Sequence, residues 1–166
     1  LVGGVESLAL RGEAADRYWN QLEAKIADLN LQSAVQMTGY LAADAVSHCL
    51  RGADIGVLPF NHGVTLKSGS LLALMAHQLP VIATHATPAD PEINEQLVQR
   101  IEPRNVDALA SALMQLLSDS ALRSRLANAG YHFSQQFSWG HITEDHLEIY
   151  RSLLKTSSLL SSEFVA

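Results

Sequence analysis

The stretch "LPFNHGVTLKSGSLLALMAHQLPVIAT", Leu58 to Thr84, decides how the chain is read. It begins as an apolar strand, "DIGVLPF", stopped by Pro59. A polar loop with Gly63 and Gly69 follows, then a short apolar helix from about Ser70 to Gln78 and a second strand, "PVIAT". Strand, helix and strand in that order make a βαβ unit, whose two strands run parallel. Lys67, Ser68, Gly69 and Ser70 cluster just ahead of the helix.

Two readings of that cluster stay open. The first amides of a helix lack intrahelical partners, and the helix dipole adds partial positive charge there. Gly69 would let a phosphate approach the backbone, Ser68 and Ser70 offer hydroxyls, and Lys67 adds full charge. In the other reading Ser68 is an ordinary N-cap and Lys67 an exposed lysine.

The alternation continues on either side. "LVGG" at Leu1 reads as a buried strand leaving into a Gly turn. From Glu13 to Leu29, Tyr18, Leu22, Ile26 and Leu29 recur at helical spacing. "AVQMTGYL" reads as a strand, and Ala42 to Arg51 as a helix ending at Gly52. "LVQRI" is one more short strand. Three helical patterns follow, Asp107 to Leu117, Ser120 to Phe137 and Thr143 to Leu154. Residues 1–155 form the expected domain, and the Ser-rich 156–166 reads as a flexible tail. The predicted fold class is α/β, a Rossmann-like parallel sheet with helices on both faces. Ligands of such sheets sit at the carboxyl ends of the strands. Those ends are Gly3-Gly4, Gly39-Tyr40, Asn61 to Ser70, and His85 to Asp90.

Totals narrow the function classes. A chain of 166 residues suits one core, and 48% hydrophobic residues make it globular. Net charge of −6 argues against a broad nucleic-acid footprint, so no nucleic-acid partner is expected. No apolar run reaches the roughly 18 residues of a membrane span. Cys49, the single cysteine, excludes an intrachain disulfide and a thiolate metal cluster, and its helical face reads as core. A reducing, cytoplasmic setting fits. The chain opens with Leu1 rather than Met, in what reads as the end of a strand, so a piece of a longer polypeptide is expected.

Several familiar chemistries lack their pattern. G-x4-G-K-[ST] is absent. "LVGGVE" starts but does not complete G-x-G-x-x-G, and Ser68 is not in a G-x-S-x-G elbow. His132, His141 and His146 are spread along the C-terminal helices without H-E-x-x-H, and no metal site is expected. His62 and His85 fall on loops at the ligand edge, where each is either a sugar or phosphate contact or a solvated loop residue. Tyr40, at the same edge, either packs near a base or completes the core edge.

The order of segments resembles the C-terminal half of glycosyltransferase family 4, the retaining GT-B enzymes. "AVQMTGYL" is similar to the family's V-x-F-x-G-x-L strand. "RGADIGVLPF" resembles x-x-A-D-x-x-V-L-P-S, and "ALMAHQLPVIAT" resembles E-A-M-A-x-G-x-P-V-V-A-T. "PEI" at Pro91 to Ile93 fits the loop after it, and "FSWGHITEDHLEIY" fits the closing F-S-W…Y helix. The resemblance covers nearly the whole chain in order.

It implies the donor-binding half of an enzyme that moves a sugar from a nucleotide diphosphate sugar to an acceptor hydroxyl. Gly3, Gly4, Gly39, Tyr40 and Leu41 would lie near the nucleotide, and Lys67, Ser68, Gly69 and Ser70 would hold the diphosphate. His62, Gly63 and Thr65 would face the donor sugar. No catalytic residue is assigned, because the family's Glu-x7-Glu pair falls on Thr65 and Ala73, neither a carboxylate. The G-F-G after its first Glu becomes Leu66, Lys67 and Ser68. The loop instead resembles a divergent bacterial subgroup, P-F-x-x-G-V-x-x-(R/K)-x-x-S-L-L-A, through Pro59, Phe60, Gly63, Val64, Lys67 and Ser70 to Ala73.

No cofactor is implied beyond the donor. The implied partner is an N-terminal acceptor-binding domain, which with the first β-α segment and a basic diphosphate clamp would precede Leu1. That domain would also supply any peripheral membrane contact. The chain alone is expected to show no turnover. A non-catalytic nucleotide-sugar-binding or scaffolding relative, and another Rossmann-like nucleotide-binding enzyme, are the alternatives.

Overall fold

The computed structural model describes residues 1–4 and 11–163. The chain divides into two compact units, Leu1–Gly52 and Ala53–Ala166.

The second unit holds the sheet. Strands β1 (Gly56–Leu58), β2 (Val81–Thr84) and β3 (Gln99–Ile101) run parallel in the order β1-β2-β3. Helix α3 (Gly69–Ala76) joins β1 to β2, and α4 (Val106–Ser118), α5 (Ser120–Gln135) and α6 (Trp139–Glu163) follow β3. The sheet is flanked by helices on both faces, the α/β Rossmann-like arrangement predicted from the alternation.

Strand β2 is central and buried along its whole length, which is why "VIAT" carries no outward polar residue. In the register Val57↔Ile82↔Gln99 and Thr84↔Ile101, paired residues share a face. That face packs on α4 and α5 through Ile82, Ile101, Ala112, Leu116 and Leu126. On the other face, Gly56 admits Leu74 of α3: a Cβ there would lie 2.8 Å from Leu74 Cδ1. Full burial of each large aliphatic side chain stabilises by about 1.5–3 kcal/mol, so this core carries most of the unit's stability.

Local sequence sets the helix ends. Asn105 and Asp119 cap α4 and α5 by accepting from Ala108 N at 2.9 Å and Leu122 N at 2.8 Å. Helix α3 closes with Leu79 N donating to Leu74 O and Gln78 N to Met75 O, a Schellman pattern. Gln78 takes the left-handed position at φ 57.

The first unit carries α1 (Glu13–Asp28) and α2 (Ala43–Arg51). Here several expectations are corrected. "LVGG" and "AVQMTGYL" form no strands; they meet in one antiparallel bridge, Gly3↔Gly39. Gly3 N donates to the Thr38 hydroxyl at 3.1 Å rather than to a ladder carbonyl, and Gly3 and Gly39 have φ of 108 and 64, which interrupts an extended run. Leu1 and Val2, read as buried, are exposed. The packed stripe of α1 runs through Ala15, Trp19, Leu22 and Ile26, leaving Tyr18 and Leu29 exposed. Cys49 is exposed too, and Leu50 beside it is the buried residue of α2.

Helix α6 runs on to Glu163, so residues 156–163 of the expected tail are helical. Residues 164–166 lie outside the described residues.

Candidate functional site

The loop between β1 and α3 is built onto the carboxyl edge of the sheet. Gly63, at φ 77, starts it. Any Cβ on Gly63 would overlap the Ala86 backbone, so only glycine permits the close approach. Val64 then donates its amide to Thr84 O at 2.7 Å and forms a parallel bridge with His85. Thr84 is buried, and its hydroxyl donates to Phe60 O at 2.7 Å, tying the end of β2 to the end of the β1 segment.

Beyond Val64 the chain makes a turn, Thr65 to Ser68, closed by Ser68 N donating to Thr65 O at 2.9 Å. The Leu66 amide donates to Asp90 Oδ2 at 2.8 Å. Helix α3 starts immediately after. The Ser68 hydroxyl oxygen accepts from Leu71 N at 3.3 Å, so the N-cap reading of Ser68 is realised. The cap leaves the amides of Gly69 and Ser70 ahead of the first intrahelical bond. Both residues and Lys67 are exposed. Beyond its chain neighbours and its own helix backbone, no heavy atom comes within 4 Å of where a Cβ on Gly69 would stand. Gly140, in the first turn of α6, is equally open, so openness alone marks nothing. At Gly69 it coincides with Lys67, Ser70 and the carboxyl edge of β1 and β2.

A cleft of about 640 Å³ lies between this turn and the loop after β2. Thr65, Leu66 and Lys67 line one side, Pro88 to Glu92 the other, with Phe137 at the base of α6. His62 is exposed in the turn before Gly63. His85 turns instead toward β3, its Nε2 2.8 Å from Glu102 Oε1. That bond, with a weaker one to Ala86 O, raises its pKa above the ordinary 6.5, so charged imidazolium is favoured.

The five residues expected near a nucleotide fall in the first unit. The Gly3↔Gly39 bridge brings Gly3, Gly4, Gly39 and Tyr40 together, with Leu41 next in the chain. The Tyr40 ring lies so close to Gly4 that a Cβ there would overlap it. Thr65 is exposed and Ala73 half-buried on α3. Among the described residues, no cluster of His, Cys, Asp or Glu is placed to hold a metal ion, and no helix is long and apolar enough to cross a membrane.

Sequence reading overlooked the parts played by Asp90, Thr84 and Glu102. Asp90-Pro91 is a turn signal, and Asp90 Oδ1 does accept from Glu92 N at 3.2 Å. Its grip on Leu66, 24 residues earlier, has no local signature.

The model of the family "Glycosyl transferases group 1" matches residues 6–119. Probable sucrose-phosphate synthase 2 of Oryza sativa subsp. japonica is 36% identical over 109 residues, 64% of this chain and 10% of that protein. O-antigen chain mannosyltransferase B of Escherichia coli is 25% identical over 144 residues, 86% of this chain and 36% of that one. The C-terminal domain of a group 1 family glycosyl transferase from Francisella tularensis superposes with a TM-score of 0.61 at 28% identity, covering 72% of this chain and 62% of that structure. The chain thus spans a tenth and just over a third of the two curated relatives.

Proposed function

We propose a donor-binding role for this chain, which belongs to the group 1 glycosyl transferases by its match over residues 6–119. In this reading it is the C-terminal, donor-side half of a GT-B enzyme of the retaining family 4 type. The parent enzyme moves a sugar from a nucleoside diphosphate sugar to an acceptor hydroxyl. The bond between the sugar's anomeric carbon and the diphosphate oxygen breaks, and the acceptor oxygen bonds to that carbon as its proton leaves.

The observation that carries this reading is the open first turn of α3 at the carboxyl edge. The Gly69 and Ser70 amides, the Ser70 hydroxyl and Lys67 supply donors and positive charge to a leaving diphosphate. Thr65 offers a hydroxyl to the donor sugar from the adjoining cleft. In the first unit, Gly3, Gly4, Gly39, Tyr40 and Leu41 are the residues that the family resemblance assigns to the nucleotide.

A second reading, a nucleotide-sugar-binding relative without turnover, is favoured by Thr65 and Ala73 standing where the family pattern has glutamates. The two readings share the diphosphate site and differ in transfer by the parent protein.

Titration with uridine and guanosine diphosphates, read by backbone amide shifts, tests the shared part. Shifts should centre on Ser68 to Ser70. Gly69→Val should abolish binding and leave the fold intact, since the position is open. Lys67→Ala should weaken binding by roughly tenfold, as loss of one charge-assisted contact implies. Unchanged affinity in both variants would end the cradle reading.

A further inference from the structure

The turn that presents Lys67 is not held by its own residues alone. Its closing bond, Ser68 N to Thr65 O, fixes the two ends of the turn. The amide in the middle, Leu66 N, is taken by Asp90 from the loop after β2, at 2.8 Å. The other Asp90 oxygen accepts from Glu92 N at 3.2 Å, and Asp90 O accepts from Ile93 N at 3.3 Å. One half-buried side chain therefore fastens the turn before α3 to the far wall of the cleft.

The charge of Asp90 makes this informative. A carboxylate beside a site for an anion opposes the anion by simple Coulomb repulsion. Asp90 and Glu92 both line the same cleft as Lys67. What Asp90 offers such a site is geometry: a fixed Leu66 amide sets the direction in which Lys67 leaves the turn and Gly69 enters the helix.

We propose that Asp90 is a positioning residue for diphosphate binding, latching the Thr65–Ser68 turn so that Lys67 and the α3 amides converge on one anion. This rests on the donor-site reading above. The latch acts through the turn and touches no ligand.

The two roles of Asp90 have opposite signs. As a bystander charge, its removal tightens anion binding. As a latch, its removal weakens binding despite the lost repulsion. The test uses the full 166-residue chain with uridine diphosphate and guanosine diphosphate as probes. Asp90→Ala should raise Kd by roughly tenfold, the scale of one charge-assisted hydrogen bond. Hydrogen exchange at the Leu66 amide should accelerate in the same variant without ligand. In a double-mutant cycle with Lys67→Ala, the two losses should be less than additive, a coupling that a general loss of stability would not produce. Where Asp90→Ala fails to fold, Asp90→Leu carries the same comparison, since it is close to Asp in size and offers Leu66 N no acceptor.

Unchanged or tighter binding in the Asp90 variant overturns the latch, as does unchanged exchange at Leu66. If the wild-type chain binds neither diphosphate while Leu66 exchange still depends on Asp90, the donor-site reading fails and the bond is structural only.

Discussion

The two units respond differently to the same kind of sequence. In Ala53–Ala166, each segment read as a strand became one, and the middle strand is wholly buried. In Leu1–Gly52, two segments with comparable apolar content became a single bridge between glycines. Apolar content does not itself make a strand. β2 has hydrogen-bonding neighbours on both sides and helices on both faces, whereas Leu1 and Val2 stay exposed. A strand's backbone groups need a continuing ladder, and a pair of positive-φ glycines supplies none.

Core truncation probes that difference most strongly. Leu116→Ala removes a fully buried side chain packed beneath β2 and β3 and should destabilise by about 2–5 kcal/mol in urea unfolding. Met37→Ala, at a half-buried site of the first unit, should lose less than about 1 kcal/mol. Equal losses would break the comparison.

Two glycines sharpen it at the next level. Gly63 and Gly39 both have positive φ, 77 and 64. Alanine at Gly39 meets only backbone strain of about 1 kcal/mol, since nothing lies nearby. Alanine at Gly63 adds overlap with the Ala86 backbone and should lose at least about 2 kcal/mol. It should also displace the turn at Thr65, visible as amide shifts from Leu66 to Ser70.

The helix ends give a smaller contrast. Both α1 and α3 close through a left-handed residue, Asn30 at φ 54 and Gln78 at φ 57. Asparagine tolerates that conformation better than glutamine. Gln78→Gly should therefore stabilise by roughly 0.5–1 kcal/mol, more than Asn30→Gly does. Thermal unfolding of the two variants checks the order.

The ion pairs give the smallest effect. His85 pairs with Glu102 at 2.8 Å, and Arg17 with Glu13 at 3.4 Å on exposed α1. Because the folded pKa of His85 is raised, its contribution is full below about pH 6.5 and is lost as pH rises through the folded value. Glu102→Gln should return the His85 titration toward its ordinary value in an NMR titration. Glu13→Gln should change stability by no more than about 0.5 kcal/mol. A His85 titration that ignores Glu102 would refute the pairing.

The sequence alone determined the βαβ order, the place of β1, β2 and β3, and the helices. Those depend on periodicity and on contacts a few residues apart, which a linear reading can count. It also put the loop before α3 at the carboxyl edge of the sheet, because a parallel crossover leaves a helix N-terminus there. Only the tertiary structure decided that Gly63 lies against Ala86, that Thr84 holds Phe60, and that Asp90 grips Leu66. It alone exposed Cys49 and dissolved the two expected strands of the first unit into one bridge. Each of these turns on which distant groups complete a backbone's hydrogen bonds or fill the space beside it, and sequence spacing carries no record of that partner.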